Sequence, residues 1–172
     1  ILREPRQSLA RADIIVLTKT DLAADKTTVR SLLKRYNKSC LVVESRHAAV
    51  GFFELGKDAV MLGPEALKGK EAAVVSGIGD PVSFELGLDK LGVRIGLTFR
   101  FSDHYYYNSS DLERIAGLCR RQGIDTVITT EKDAVRLLNL PLAGYGLNFL
   151  ALRIQLAITE NEQEFLNRLR RV

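Results

Sequence analysis

A chain of 172 residues with 46% apolar and 27% charged side chains has the material for one sizeable core, and this composition excludes a disordered, fibrous or disulfide-stapled protein. The formal charge of +4 sits mainly in stretches such as "RSLLKRYNK" and the terminal "RLRRV", which solvated helix faces explain; no aromatic-rich nucleic-acid motif accompanies it, so a nucleic-acid partner is not expected. Cys40 and Cys119 fall in no metal or redox spacing and read as thiols of a reducing compartment.

The chain opens on Ile1, without an initiator Met, which fits a piece of something longer, and "ILREPRQSL" lacks the apolar stretch of a signal peptide. "DIIVLT" (13–18) predicts a buried strand. The spacing of Val29, Leu32, Leu33 and Tyr36 predicts a helix in "DKTTVRSLLKRYN", and "CLVVESR" a second strand. Beyond it the chain stays extended into "GFFELGKD" (51–58), which meets the phosphate-loop pattern G-x-x-x-x-G-K-[ST] until Asp58 stands in place of the magnesium-binding hydroxyl. A phosphate loop also leads directly into a helix, whereas "AVMLGPEALKG" breaks at Gly63-Pro64, so a turn after a strand is expected here.

"EAAVVSG" (71–77) predicts a strand, followed by a helix that Asp80 caps, Pro81 begins and Gly92 ends. "VRIGLTFRF" (93–101) is a strand, and "SDLE" from Ser110 reads as the capping box of the next helix. Strand "DTVIT" (125–129) leads into helix "EKDAVRLLN". "LNFLALRIQLAI" is the last strand, too short for a bilayer and interrupted by Arg153, and "TENE" reads as a second capping box opening the final helix. This alternation predicts an α/β fold with a mainly parallel β-sheet covered by helices on both faces. The Gly- and Lys-rich "LGPEALKGK" (62–70) is the expected seam, giving an N-terminal α/β portion at 1–62 and a C-terminal α/β unit at 63–172. A soluble, cytoplasmic piece is expected.

Ligands of parallel sheets bind outside the carboxyl ends of the strands, and three polar loops there should open on one edge. In "SGIGDP", Gly77 and Gly79 make a tight turn into the helix capped by Asp80, with a substrate contact as the second reading; Val82 breaks any dinucleotide fingerprint. In "FSDHYYY", Asp103 beside His104 is either an acid/base or orienting pair, or a surface turn lidded by Tyr105 to Tyr107. In "TTEKD", Thr130 and Asp133 make a capping pattern, which leaves Glu131 and Lys132 as candidate contacts. "TKTD" (18–21) resembles the N-K-x-D loop by which GTP-binding proteins read guanine, with Thr18 in the Asn position; a capped turn explains it as well.

Taken together, "LREP" at 2–5, "RADIIVLTKTD", "SGIGDPVSF", "FSDHYYY" and "ITTEKDAVRL" resemble, in that order, the C-terminal half of the tetraacyldisaccharide 4'-kinase family, lipid A biosynthetic kinases of Gram-negative bacteria. The resemblance implies the C-terminal portion of a P-loop-kinase-like fold, with the phosphate loop and metal-binding carboxylates in an upstream half. It implies an enzyme that moves the γ-phosphate of ATP, with Mg²⁺, to the 4'-hydroxyl of tetraacyldisaccharide 1-phosphate, working peripherally on the cytoplasmic side of the inner membrane at an anionic lipid surface. His104 would match the histidine that pairs with an upstream aspartate, supported by Asp103. Arg3 and Glu4 match the Arg-Glu near nucleotide and metal, with Glu4 on the metal side. Gly77, Gly79, Asp80, Thr130, Glu131 and Lys132 would line the substrate cleft. Where the family often has Asp-His-His, Tyr105 replaces the second histidine. A GTP-binding domain using "TKTD" and a non-enzymatic membrane-surface module using the basic helices 26–38 and 160–172 are the competing expectations.

Overall fold

The computed structural model describes residues 4–23, 25–57 and 61–170. In chain order these form β1 (Ile14–Leu17), α1 (Lys26–Tyr36), β2 (Leu41–Glu54), β3 (Met61–Leu62), β4 (Glu71–Ser76), α2 (Pro81–Lys90), β5 (Arg94–Arg100), α3 (Ser109–Gln122), β6 (Thr126–Thr130), α4 (Glu131–Leu137), β7 (Asn148–Glu160) and α5 (Glu162–Leu169), with short 3-10 helices at Arg6–Arg11 and Leu142–Tyr145. The chain divides into two compact units, Ile1–Ala48 with Gln155–Val172, and Ala49–Ile154.

Unit Ala49–Ile154 is built on parallel strands in the order β7-β6-β4-β5. Alternation along β4 explains why both faces are covered. Ala73 and Val75 join Phe99, Val127 and the helix residues Leu112, Ile115, Cys119 and Leu137 on one side. Ala72 and Val74 join Leu88, Val93 and Ile128 on the other. A strand buried on both faces reads as a continuous apolar run, which is what "AAVV" is. The strand-helix alternation read from the sequence thus folds as the expected α/β, mainly parallel arrangement; β3 runs antiparallel to β2, and β7 does too, with Leu55 bonded to Phe149 and Asn161 to Val42.

The described part of "GFFELGKD", residues 51–57, ends a strand that β3 pairs back onto, rather than forming a phosphate loop. β2 ends at Glu54, Gly56 takes a left-handed turn at φ 77°, and β3 returns with Phe52 opposite Leu62 and Phe53 opposite Met61. Gly51 is required by the return strand, since a Cβ there would lie 2.2 Å from the Leu62 carbonyl oxygen. Asp58 lies outside the described residues.

Asp80 caps α2 and Pro81 opens it as expected, the Asp80 carboxylate accepting from the Ser83 N–H at 3.1 Å. The other two caps differ from expectation. α3 starts one residue earlier than Ser110, and its capping box is Asn108 with Asp111, each side chain accepting the other's backbone N–H at 3.1 Å. The cause is Tyr107, which is drawn into the core and turns the chain immediately after it. The "TENE" box does not form: Thr159 and Glu160 stay in β7, and Asn161, left-handed at φ 63°, donates its side-chain amide to the Val42 carbonyl at 2.8 Å instead of capping α5.

Unit Ile1–Ala48 with Gln155–Val172 pairs β1 with β2 in parallel and packs α1 through Leu33. Asp25 caps α1 by accepting from the Thr27 and Thr28 N–H groups, and hydrogen bonding from the Thr28 side chain, then from these N–H groups, holds its carboxyl below its usual value. Val29, expected on the apolar face, is 38% exposed. Glu44 is buried, its carboxylate taking Lys26 at 2.9 Å and Arg30 at 2.6 Å, and Arg30 also pairs with Glu160. Two cations of the basic stretch at 26–38 are therefore turned toward carboxylates of their own unit.

Candidate functional site

The carboxyl ends of β4, β5 and β6 lie on one edge of unit Ala49–Ile154, as parallel pairing demands, and the three loops leaving them meet. Gly77 is the point of contact. Its N–H donates to Asp133 Oδ2 at 3.0 Å, and its carbonyl accepts the His104 N–H at 3.1 Å, so the loop after β4 is bonded both to α4 and to the loop after β5. A Cβ on Gly77 would meet the Tyr107 hydroxyl at 3.0 Å, Asp133 Oδ1 at 3.1 Å and the Ser102 carbonyl oxygen at 3.2 Å. Gly77→Ala should therefore cost about 1–3 kcal/mol by overpacking. Gly79→Ala is the control, because its nearest neighbour is Asp103 Oδ2 at an ordinary 3.6 Å. A thermal melt of the two variants checks this, and equal melting temperatures would remove the argument.

Asp133 is fully buried and has three partners: the Gly77 N–H, the Thr130 hydroxyl at 2.8 Å and Arg136 at 3.3 Å. Thr130 also caps α4 by accepting the Asp133 N–H at 3.2 Å, which is the pattern read from "TTEKD". Arg136 reaches onward, donating to His104 Nδ1 at 3.0 Å. The other ring nitrogen of His104 lies 3.8 Å from Asp103 Oδ2, and both of these side chains are more than half exposed. His104 is left-handed at φ 60°, a conformation rare outside glycine, and its backbone N–H bond to Gly77 holds it there.

The tyrosines divide. Tyr105 lies tilted against Phe101 at a ring distance of 4.6 Å and Tyr107 meets it edge-on at 5.0 Å, while Tyr106 is 85% exposed. Tyr107 is thus core rather than lid, and burial, reinforced by the nearby Asp133 carboxylate, pushes its phenol well above the ordinary tyrosine range. The hydroxyls of Ser76, Thr129 and Tyr107 are buried without a hydrogen-bond partner among the described residues, and all three lie at the ends of β4 and β6 or in the loop after β5.

Of the residues singled out in the sequence, Gly77, Gly79, Asp103, His104 and Thr130 come together here. Asp80 is occupied by its helix cap, with its second oxygen accepting the Ser83 hydroxyl at 2.6 Å. Glu131 pairs with Arg153 at 2.8 Å, and Arg153 lies over the Phe53 ring at 4.9 Å. Lys132 is exposed. Glu4 belongs to the other unit, where it pairs with Arg11 at 2.5 Å and borders an open recess of about 700 Å³. Arg3 lies outside the described residues. In "TKTD", Thr20 is buried and uses both its N–H and its hydroxyl on the Ser45 carbonyl.

Asp133, Arg136 and Tyr107 were not singled out as functional, although they form the centre of the constellation. A signal existed: Asp133 and Arg136 stand at i and i+3 on α4 beside the core positions Ala134 and Leu137, so at least one of the pair has to be partly buried.

Comparison with known proteins gives the constellation a context. The family model described as tetraacyldisaccharide-1-P 4'-kinase matches residues 1–172. The tetraacyldisaccharide 4'-kinase of Halothermothrix orenii is 34% identical over 145 residues, covering 78% of this chain and 38% of that protein. That of Anaeromyxobacter dehalogenans is 37% identical over 137 residues, covering 78% and 36%. The Desulfatibacillum aliphaticivorans enzyme is 30% identical over 173 residues, covering 96% of this chain and 45% of its own. This chain spans less than half the length of each of these curated relatives. Its fold is similar to that of the "apo" form of LpxK from Aquifex aeolicus in complex with ATP, with a TM-score of 0.62 and 22% identity, covering 97% of this chain and 45% of that one. A family match that runs from the first residue to the last, on a fold shared with a solved member, means that this chain belongs to the tetraacyldisaccharide-1-P 4'-kinase family.

Proposed function

We propose that this chain is the C-terminal, substrate-side part of a kinase that moves the γ-phosphate of ATP to the 4'-hydroxyl of tetraacyldisaccharide 1-phosphate. The end-to-end family match carries the reading. Supporting it, the residues that the resemblance marks for substrate and proton handling, Gly77, Asp103, His104 and Thr130, meet at one strand edge.

The nucleotide and metal belong, on this reading, to the upstream half of the same enzyme. The described residues do not by themselves fit a metal: no three His, Cys, Asp or Glu side chains among them come close enough, and Glu4 offers a single carboxylate already paired with Arg11. Among the described residues, "GFFELGK" leads into the strand β3 and not into a helix that could receive a phosphate. Arg3 and Glu4 would therefore complete a site whose principal ligands come from elsewhere, and no step is assigned to them. Thr130, Glu131 and Lys132 line the cleft in this proposal.

Phosphoryl transfer depends on positioning and charge stabilisation, with a group to receive the hydroxyl proton. In this reading His104 is the histidine that pairs with an upstream aspartate in handling that proton, and it is held through its backbone to Gly77 and through its ring to Arg136. His104→Ala in the full-length enzyme should lower kcat by about 10²–10⁴ with little change in KM. Unchanged turnover would sink the role.

Among the described residues no helix is long and apolar enough to cross a membrane. As part of this reading we place the enzyme peripherally on the cytoplasmic face of the inner membrane, at anionic lipid. Co-sedimentation of the full-length enzyme with anionic vesicles, lost at high salt, is the expected result.

A further inference from the structure

We propose that Arg136, seated on the buried carboxylate of Asp133, is a positioning residue that fixes the tautomer and the aim of the His104 ring. The inference rests on the functional reading of His104 given above and adds two residues to it.

A guanidinium has five donors and no acceptor. With Arg136 Nη2 at 3.0 Å from His104 Nδ1, that nitrogen has to accept and so carries no proton. The ring proton is then on Nε2, the nitrogen on the Asp103 side, 3.8 Å from Oδ2. The ring therefore offers a donor from Nε2, and a carboxylate or other acceptor brought to that nitrogen would be bound and oriented by it. Solvent alone would not hold this choice, because the His104 side chain is 72% exposed.

Arg136 can impose the choice because it is not itself free to turn. Its side chain is 22% exposed, its Nη1 lies 3.3 Å from Asp133 Oδ1, and Asp133 is fully buried. Asp133 in turn is fixed by Thr130 and by the Gly77 N–H, and the Gly77 carbonyl takes the His104 N–H. Backbone and ring of His104 are thus tied to the same carboxylate by two routes: one through Gly77, one through Arg136. Such outer partners of a working histidine set which nitrogen faces the chemistry.

The test is ring ¹⁵N NMR of the full-length enzyme labelled in its histidines, with the His104 signals identified by their loss in His104→Gln. The expected spectrum has an unprotonated Nδ1 and a protonated Nε2. Arg136→Met should shift both signals toward a mixture of tautomers and lower kcat about tenfold with KM within about twofold, and Arg136→Lys, which keeps a donor-only cation, should recover part of both. If the Met variant does not fold, Arg136→Gln, which keeps an amide donor for Asp133, is read in its place. A wild-type ring protonated on Nδ1, or ring signals unmoved by losing Arg136, would overturn the assignment. Full turnover in His104→Gln would instead overturn the functional reading of His104, while the spectra still decide what Arg136 does.

Discussion

Asp133→Ala is expected to be among the most damaging single substitutions in unit Ala49–Ile154, costing about 3–5 kcal/mol, because it removes one side of a buried charge pair. Three groups lose their partner at once. The Gly77 N–H is left in the interior without an acceptor, the Thr130 hydroxyl loses its 2.8 Å acceptor, and among the described residues Arg136 keeps only the His104 ring. An orphaned buried N–H alone costs about 1–3 kcal/mol. Asp133→Asn separates the contributions: its amide oxygen can still accept from Gly77, so it should lose roughly half as much, chiefly through the weaker hold on Arg136. Urea unfolding of the two variants measures this, with the midpoint falling further for Ala than for Asn while the slope stays constant. Amide exchange at Gly77 should speed up in Ala and much less in Asn. Equal midpoints for wild type and Asp133→Ala would mean that the carboxylate contributes no net stability and that the loops converge for other reasons.

The same carboxylate shows where sequence reading stops. Capping patterns, β-branched runs and Gly/Pro punctuation are local signals, and they placed the strands at 14–17, 71–76, 94–100 and 126–130 and the start of α2 within a residue or two. The Thr130-Asp133 cap was also legible, since it needs only a spacing of three. That Asp133 spends its other contacts on Gly77 and Arg136 was not legible, because Gly77 is 56 residues away and only the parallel pairing of β4 with β6 brings it near. Glu131 and Lys132 are the charged residues of the run that the cap leaves over. In the fold Glu131 is taken by Arg153, and the buried member of the run is Asp133.

The two misplaced caps fail for the same non-local reason. Ser110 and Glu113 have the right letters, but Asn108 has equivalent chemistry and stands directly after a tyrosine that the core demands. Thr159 and Glu160 could start a helix in isolation, yet the extended pairing of β7 and the pull of Arg30 on Glu160 keep them in the strand. Local propensity is a weak prior that tertiary contacts override. The strained conformation of His104 could not be read from letters either, although histidine is among the residues that tolerate it best.

In the other unit the expectation with the largest effect concerns Glu44. Its carboxylate is buried between Lys26 and Arg30, whose side chains remain 45% and 40% exposed, and Arg30 bridges to Glu160. Hydrogen bonding from Lys26, then from Arg30, holds the Glu44 carboxyl below its usual value of 4.5 against the opposing effect of burial. Removing it with Glu44→Ala leaves two cations without their shared acceptor, and because water still reaches both, the cost is about 2 kcal/mol rather than the full penalty of a sealed pair. For a chain of this size that lowers the melting temperature by roughly 4–8 °C. The sign with pH follows from the lowered value. The unfolded chain binds the Glu44 proton more readily than the folded one, so the stabilisation is complete above about pH 4.5 and is lost as pH falls through the folded-state value below it. Glu44→Gln removes the charge and keeps the shape, so its deficit against wild type should be constant at neutral pH and shrink on acidification. Melts of wild type and Glu44→Gln across this range decide the matter: a deficit that does not narrow as the pH is lowered below 4.5 would show that Glu44 acts by shape or hydrogen bonding alone, and not as the charge that Lys26 and Arg30 enclose.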